Sequence, residues 1–134
     1  MKISPLEVAS RYVYPSLRRR LVGGILREKG LKQTEIASLL HITQSAVSRY
    51  LRMNRGGALI DVSSFPDVDS LIKGGTADWI LNERPSEYAI QKRLMEIAVY
   101  MLGKGYVCSF HSKIDPELDP KRCRVCLELF GSSE

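Results

Sequence analysis

Apolar residues recur along most of this chain at intervals of three and four, the spacing that gives a helix one buried face. Residues 5–12 predict a short helix with Pro5 in its first turn, and Pro15 is expected to reset the chain. From Ser16 the positions Leu17, Leu21, Ile25 and Leu26 continue the pattern, with Gly30 as the stop. Gly23-Gly24 interrupts it at a cost of about 1 kcal/mol per glycine. Close packing against a neighbouring helix is the expected reason, a local kink the alternative. Between residues 33 and 51 the apolar positions fall where two short helices crossing steeply need them. Arg55-Gly56-Gly57 then breaks the pattern, and residues 58–62 read as a loop or short extended piece. Val68, Leu71, Ile72, Trp79 and Ile80 trace a further helix weakened by Gly74-Gly75. A turn at residues 82–85 leads to Ser86 and Glu87, which open the next helix. There Ile90, Leu94, Ile97 and Met101 form a heptad-like seam, widened by Ala98 and Leu102 and closed at Gly103-Lys-Gly105. The pattern predicts an all-α fold.

The segment from Gln33 to Leu51 is the most specific. Ile36, Ala37 and Leu40 share one face of its first helix, and Val47 and Leu51 share one face of the second. Ala37 sits where the two helices come closest. Residues 40–43 leave room only for a tight turn, in which Ile42 plugs the gap and Thr43 caps the second helix. Gln44, Ser45, Ser48, Arg49 and Arg52 are then left on the outside. These side chains suit base edges and phosphates in a groove of double-stranded DNA.

Charge supports that reading. The formal net charge is +5, but it is segregated. Residues 1–57 hold eleven Lys/Arg against three acids, and residues 58–134 nine against twelve. A polyanion rewards this distribution, because each neutralised phosphate releases a condensed counterion. Arg18-Arg19-Arg20 is a solvated face or a source of phosphate contacts. No apolar run is long enough to span a membrane. The opening residues, with Glu7 and Arg11 ahead of any apolar stretch, do not read as a secretory signal, so a cytoplasmic protein without a membrane partner is expected.

Residues 33–51 resemble the helix-turn-helix of the lambda-repressor-like (Xre/Cro) family, with glutamines opening both helices and Ala37 at the fifth position of the motif. That family usually has glycine where His41 stands. A histidine adopts positive φ less readily, so the resemblance predicts a slightly altered or strained turn. The chain beyond the motif is similar to a group of small archaeal predicted regulators, through Arg11-Tyr-Val-Tyr-Pro15 ahead of the motif and a cysteine-bearing tail after it. It also resembles the N-terminal part of archaeal thiamine-responsive regulators, whose fused small-molecule domain has no counterpart within these 134 residues. The resemblance implies a stand-alone transcription factor.

The three cysteines all lie in the tail, as Cys108-x2-His111-x11-Cys123-x2-Cys126. Two ligand pairs joined by a loop that Pro116 and Pro120 keep from becoming a helix match a Cys₃His zinc knuckle. An iron–sulfur cluster and free buried thiols are the alternatives, with a disulfide disfavoured in a reducing cytoplasm. Lys121, Arg122 and Arg124 flank the second pair and would offset thiolate charge.

The chain is thus expected to comprise a DNA-binding segment at 1–57, a helical extension for pairing at 58–104, and a small irregular Cys/His tail at 105–134. One half-site binds weakly, so a homodimer is expected to read two half-sites about 34 Å apart. Gln44, Ser45, Ser48 and Arg49 would read bases. Gln33, Thr43, Arg52 and Arg55 would hold phosphates. The function predicted is sequence-specific transcriptional regulation, with a structural or sensing metal site in the tail. An iron–sulfur or redox-sensing regulator is one alternative, and an RNA-binding or assembly adaptor another. Against RNA, the basic half has only Tyr12, Tyr14 and Tyr50 as aromatics. An enzyme is not expected: neither His41 nor His111 has a spaced acid or nucleophile partner.

Overall fold

A computed structural model describes residues 1–53 and 59–131, the Ile25 side chain apart. Every regular element among the described residues is helical. The first helix, α1, runs unbroken over residues 5–26, alternating between α-helical Pro5–Val8 and Tyr14–Arg19 and π-helical Ala9–Val13 and Arg20–Leu26. Ser4 opens it with a reciprocal cap, its hydroxyl accepting from the Glu7 amide (3.3 Å) while the Glu7 carboxylate accepts from the Ser4 amide (3.1 Å).

Pro15 does not reset the chain. A proline inside an α-helix lacks a donor and collides with the carbonyl four residues back. Here the wide turn before it relieves that clash, because the Tyr14 amide bonds to the Ala9 carbonyl, five residues back. The two glycine pairs behave alike. Gly23-Gly24 lies in the π-helical stretch Arg20–Leu26, and Gly74-Gly75 lies in Leu71–Ala77. The first pair is not tight against a neighbouring helix at Gly23, where a Cβ would meet Leu51 Cδ2 at an ordinary 3.6 Å, but Gly24 leaves room for the Arg20 side chain, which a Cβ there would strike. Both pairs also coincide with widened, π-helical turns.

Next come α2 (Gln33–Leu40) and α3 (Gln44–Arg52). After a single 3₁₀ turn at Val62–Ser64, α4 covers residues 66–83 as Pro66–Ser70, the π-helical Leu71–Ala77, and Asp78–Glu83. Arg84 ends it in the left-handed conformation at φ 49°. The longest regular helix is α5 (Glu87–Gly103), capped by the Ser86 hydroxyl, which accepts from the Ala89 amide. The tail is more helical than its prolines suggest. It folds as α6 (Cys108–Ile114) and α7 (Val125–Phe130), with turns over residues 115–124 between them.

One connected set of buried side chains runs from Val8 to Cys126, so the three sequence segments share a core. Leu17, Leu21, Val22 and Leu26 of α1 meet Ile72, Ala77 and Ile80 of α4 and the inner face of α5. That inner face is the heptad-like seam. Ile90, Leu94, Ile97 and Met101 are at most 4% exposed, so the seam fills this chain's own core and is not a pairing surface. The large apolar side chains that α5 leaves exposed are Tyr88, Met95 and Val99.

Polar ties fix the helices to one another. Arg20 forks onto Asp69 through Nε (2.7 Å) and Nη2 (3.1 Å), joining α1 to α4. The hydroxyls of Tyr100 and Tyr106 both donate to Asp67 Oδ2, and the Tyr106 ring stacks on Phe65 at 4.6 Å. Gly103 permits the tail to dock, because a Cβ there would run into the Phe130 carbonyl. No helix among the described residues is long and apolar enough to cross a membrane.

Candidate nucleic-acid interface

The pair α2–α3 carries most of the predicted contacts. At its start the Glu35 carboxylate accepts from the Lys32 amide (3.0 Å), satisfying a donor that a helix end leaves open. Ile36, Ala37, Leu39 and Leu40 face the core. The helix then closes through two bonds, Ile42 N–H to the Ala37 carbonyl (3.0 Å) and His41 N–H to the Ser38 carbonyl (3.4 Å). That pairing requires a left-handed residue at position 41. His41 supplies it at φ 57°, ψ 39°, the conformation glycine usually provides. The histidine brings something glycine lacks: its Nε2 donates to the Pro85 carbonyl at 3.0 Å. The turn is thereby tied to the loop that leads into α5.

Thr43 opens α3 with an extended backbone, and its hydroxyl accepts from the Ala46 amide at 3.1 Å. Val47 and Tyr50 are buried beneath this helix, while Ile42, Ala46 and Leu51 are half-buried against the core. On the outside Gln44, Ser45, Arg49 and Arg52 are exposed, and Ser48 and Gln33 are half-buried. The sequence of α3 contains no acidic residue. Neither Arg49 nor Arg52 has an acidic partner among the described residues. Arg49 instead leans over the Tyr50 ring at 5.6 Å. Arg55 lies outside the described residues.

Arg18, Arg19 and Arg20 of α1 form the back of the site rather than its face. Arg18 donates to the Tyr50 hydroxyl (3.2 Å) and the Tyr14 hydroxyl (3.5 Å), and it stacks on the Tyr14 ring. Arg19 donates to the Met53 carbonyl (3.2 Å), where α3 ends. Arg20 is held by Asp69. A sequence shows these as a charged run, since their partners lie 32, 34 and 49 residues away.

In the tail, Cys108 and His111 stand one turn apart on α6, Cys123 lies in the loop, and Cys126 lies in the first turn of α7. All four line one cavity of about 10 Å³, closed by apolar side chains including Val8, Leu102 and Leu118. Burial, and then the proximity of Cys108 and Cys123, pushes the Cys126 thiol up to about 11. Burial followed by Cys123 raises Cys108 as well. As they stand, no three His, Cys, Asp or Glu side chains among the described residues form a ready coordination set. His111 Nε2 donates to the Ile3 carbonyl at 2.7 Å. The amides of Lys2 and Ile3 in turn donate to Asp115 Oδ2 at 2.7 and 3.0 Å.

No family model, curated protein or solved structure matches this chain. The functional reading therefore rests on its own residues and their placement.

Proposed function

We propose that this protein is a sequence-specific DNA-binding transcriptional regulator of the helix-turn-helix type, acting as a homodimer. The observation that carries the reading is the outer face of α3. Gln44, Ser45, Arg49 and Arg52 are exposed on a helix without an acid, and Val47, Tyr50 and Arg18 hold that helix from behind. A rigid, cationic helix with hydrogen-bonding side chains suits the major groove. Arg49 is suited to the N7 and O6 of a guanine, and Gln44 to the N6 and N7 of an adenine, with Ser45 and Ser48 beside them. Gln33, Thr43, Arg52 and Arg55 would hold phosphates and set the register. The aromatics of the basic half support DNA over single-stranded RNA, since Tyr12 packs on Phe110, Tyr14 lies under Arg18, and Tyr50 is buried.

Pairing falls to the outer face of α5, because its inner seam is internal. Lys92 and Glu96 flank the exposed Met95. Two copies of α5 packed antiparallel, with the two-fold axis near Leu94, would set Lys92 of each against Glu96 of the other. The same register brings Tyr88 and Val99 into the contact. The face is complementary to itself in charge, as a two-fold interface must be.

Titration of a selected operator with Arg49→Ala tests the docking. The variant is expected to lose about 1–3 kcal/mol of specific binding and to relax preference at one base position. Unchanged affinity and selectivity would overturn this placement of α3.

A further inference from the structure

Cys108, His111, Cys123 and Cys126 come from two helices and a loop, yet they line a single cavity. We propose that these four residues close on one tetrahedral zinc ion, with three thiolates and His111 Nδ1 as ligands. Three observations support this, and none depends on the DNA-binding reading.

The first is convergence. Cys108 and His111 sit at i and i+3 on α6, which places them on one face. Cys123 and Cys126 reach the same cavity across an eleven-residue spacer. Residues 112–114 of that spacer finish α6 and the rest has only turns, so thiol rotamers and a small shift of residues 115–124 would complete the set without breaking a helix.

The second is the imidazole. A carbonyl oxygen can only accept, so the bond to Ile3 places the His111 proton on Nε2. In the neutral ring Nδ1 then carries the lone pair. Donation of the remote ring N–H to a backbone carbonyl is the usual support of a metal-ligating histidine. His111 is 4% exposed, and the bond holds its ring in place.

The third is size. About 10 Å³ admits one water-sized occupant. A bare divalent cation is on the scale of that space. Zinc binding would displace the thiol protons. Lys121, Arg122 and Arg124 stand near Cys123 in sequence and would offset the remaining negative charge.

The test is metal analysis of untagged protein purified under reducing conditions, without chelator, from zinc-supplemented cells. The expected result is one zinc per chain. Cobalt exchange should give the visible bands of a tetrahedral site and a near-ultraviolet thiolate-to-cobalt transition. Cys123→Ser should lose at least nine-tenths of the zinc. Cys123 is half-exposed in a loop, so far-ultraviolet circular dichroism should show the variant still helical. Wild-type protein with less than a tenth of an equivalent of zinc and no cobalt–thiolate transition would overturn the assignment. So would the absorption of an iron–sulfur cluster, or full zinc retention by the folded Cys123→Ser protein. DNA affinity measured on the same samples is a separate readout, so a metal-free protein that still binds its operator rejects the zinc site alone.

Discussion

His41 offers a direct test of the turn that sets α3 against α2. Two opposed terms act there. An L-residue with a Cβ in the left-handed region, here φ 57°, costs about 1–2 kcal/mol relative to glycine. Against this, the Nε2 donation to the Pro85 carbonyl at 3.0 Å contributes roughly 0.5–1.5 kcal/mol. His41→Ala keeps the backbone cost and loses the bond, so it should destabilise by about 1 kcal/mol. His41→Gly loses the bond and also relieves the backbone, so it should lie within about 0.5 kcal/mol of wild type. The order is glycine above alanine, opposite to the usual order in helices. Urea unfolding at pH 7 reads the difference directly, and thermal melts should separate the two variants by about 3–5 °C. If His41→Gly were as unstable as His41→Ala, residue 41 would not be left-handed and the turn described above would be wrong.

Three further outcomes follow from other contacts. Bonds from Tyr100 and then Tyr106 hold the Asp67 carboxyl below its ordinary 3.8, so its stabilisation is present above that value and fades as the pH falls below it. Asp67 in turn pushes Tyr100 up to about 12, a contribution present below the ordinary 10 and lost as the pH rises from there. Asp67→Asn should flatten both limbs of a stability–pH curve, and two unchanged limbs would contradict the clamp. Gly103→Ala should force α7 off α5 at a cost of about 1–3 kcal/mol. Faster reaction of Cys126 with a thiol reagent would report it, and wild-type reactivity would refute it. Met95→Glu sets like charges across the proposed two-fold axis, so light scattering should show a monomer where wild type is a dimer. A persisting dimer would place pairing on another face.

The sequence made the central pair of helices legible because local constraints agree there. Ile36, Ala37, Leu40 and Val47 face inward as their spacing requires, and Thr43 caps α3 with a hydroxyl that needs no distant partner. Elsewhere local and global information diverge. The seam of Ile90, Leu94, Ile97 and Met101 carries a heptad spacing, but spacing does not say whether the partner helix belongs to the same chain. Here α1 fills that role. Tyr50 turns inward with Val47 because Arg18, 32 residues away, accommodates its hydroxyl. Pro15 and the glycine pairs mark π-helical turns, whose single-residue widening leaves the apolar period nearly intact. In the tail, α6 and α7 are seven and six residues long, too short to hold together without tertiary packing. Their cysteine spacing was readable, but their helices were not.

Selection of bound duplexes from a random pool, at physiological salt, tests the central claim most directly. The account predicts strong enrichment of an inverted repeat with half-sites about one helical turn apart, and Arg49→Ala should lose preference at a guanine in each half-site. Failure of the folded protein to enrich any sequence, or equal enrichment by wild type and Arg49→Ala, would contradict it.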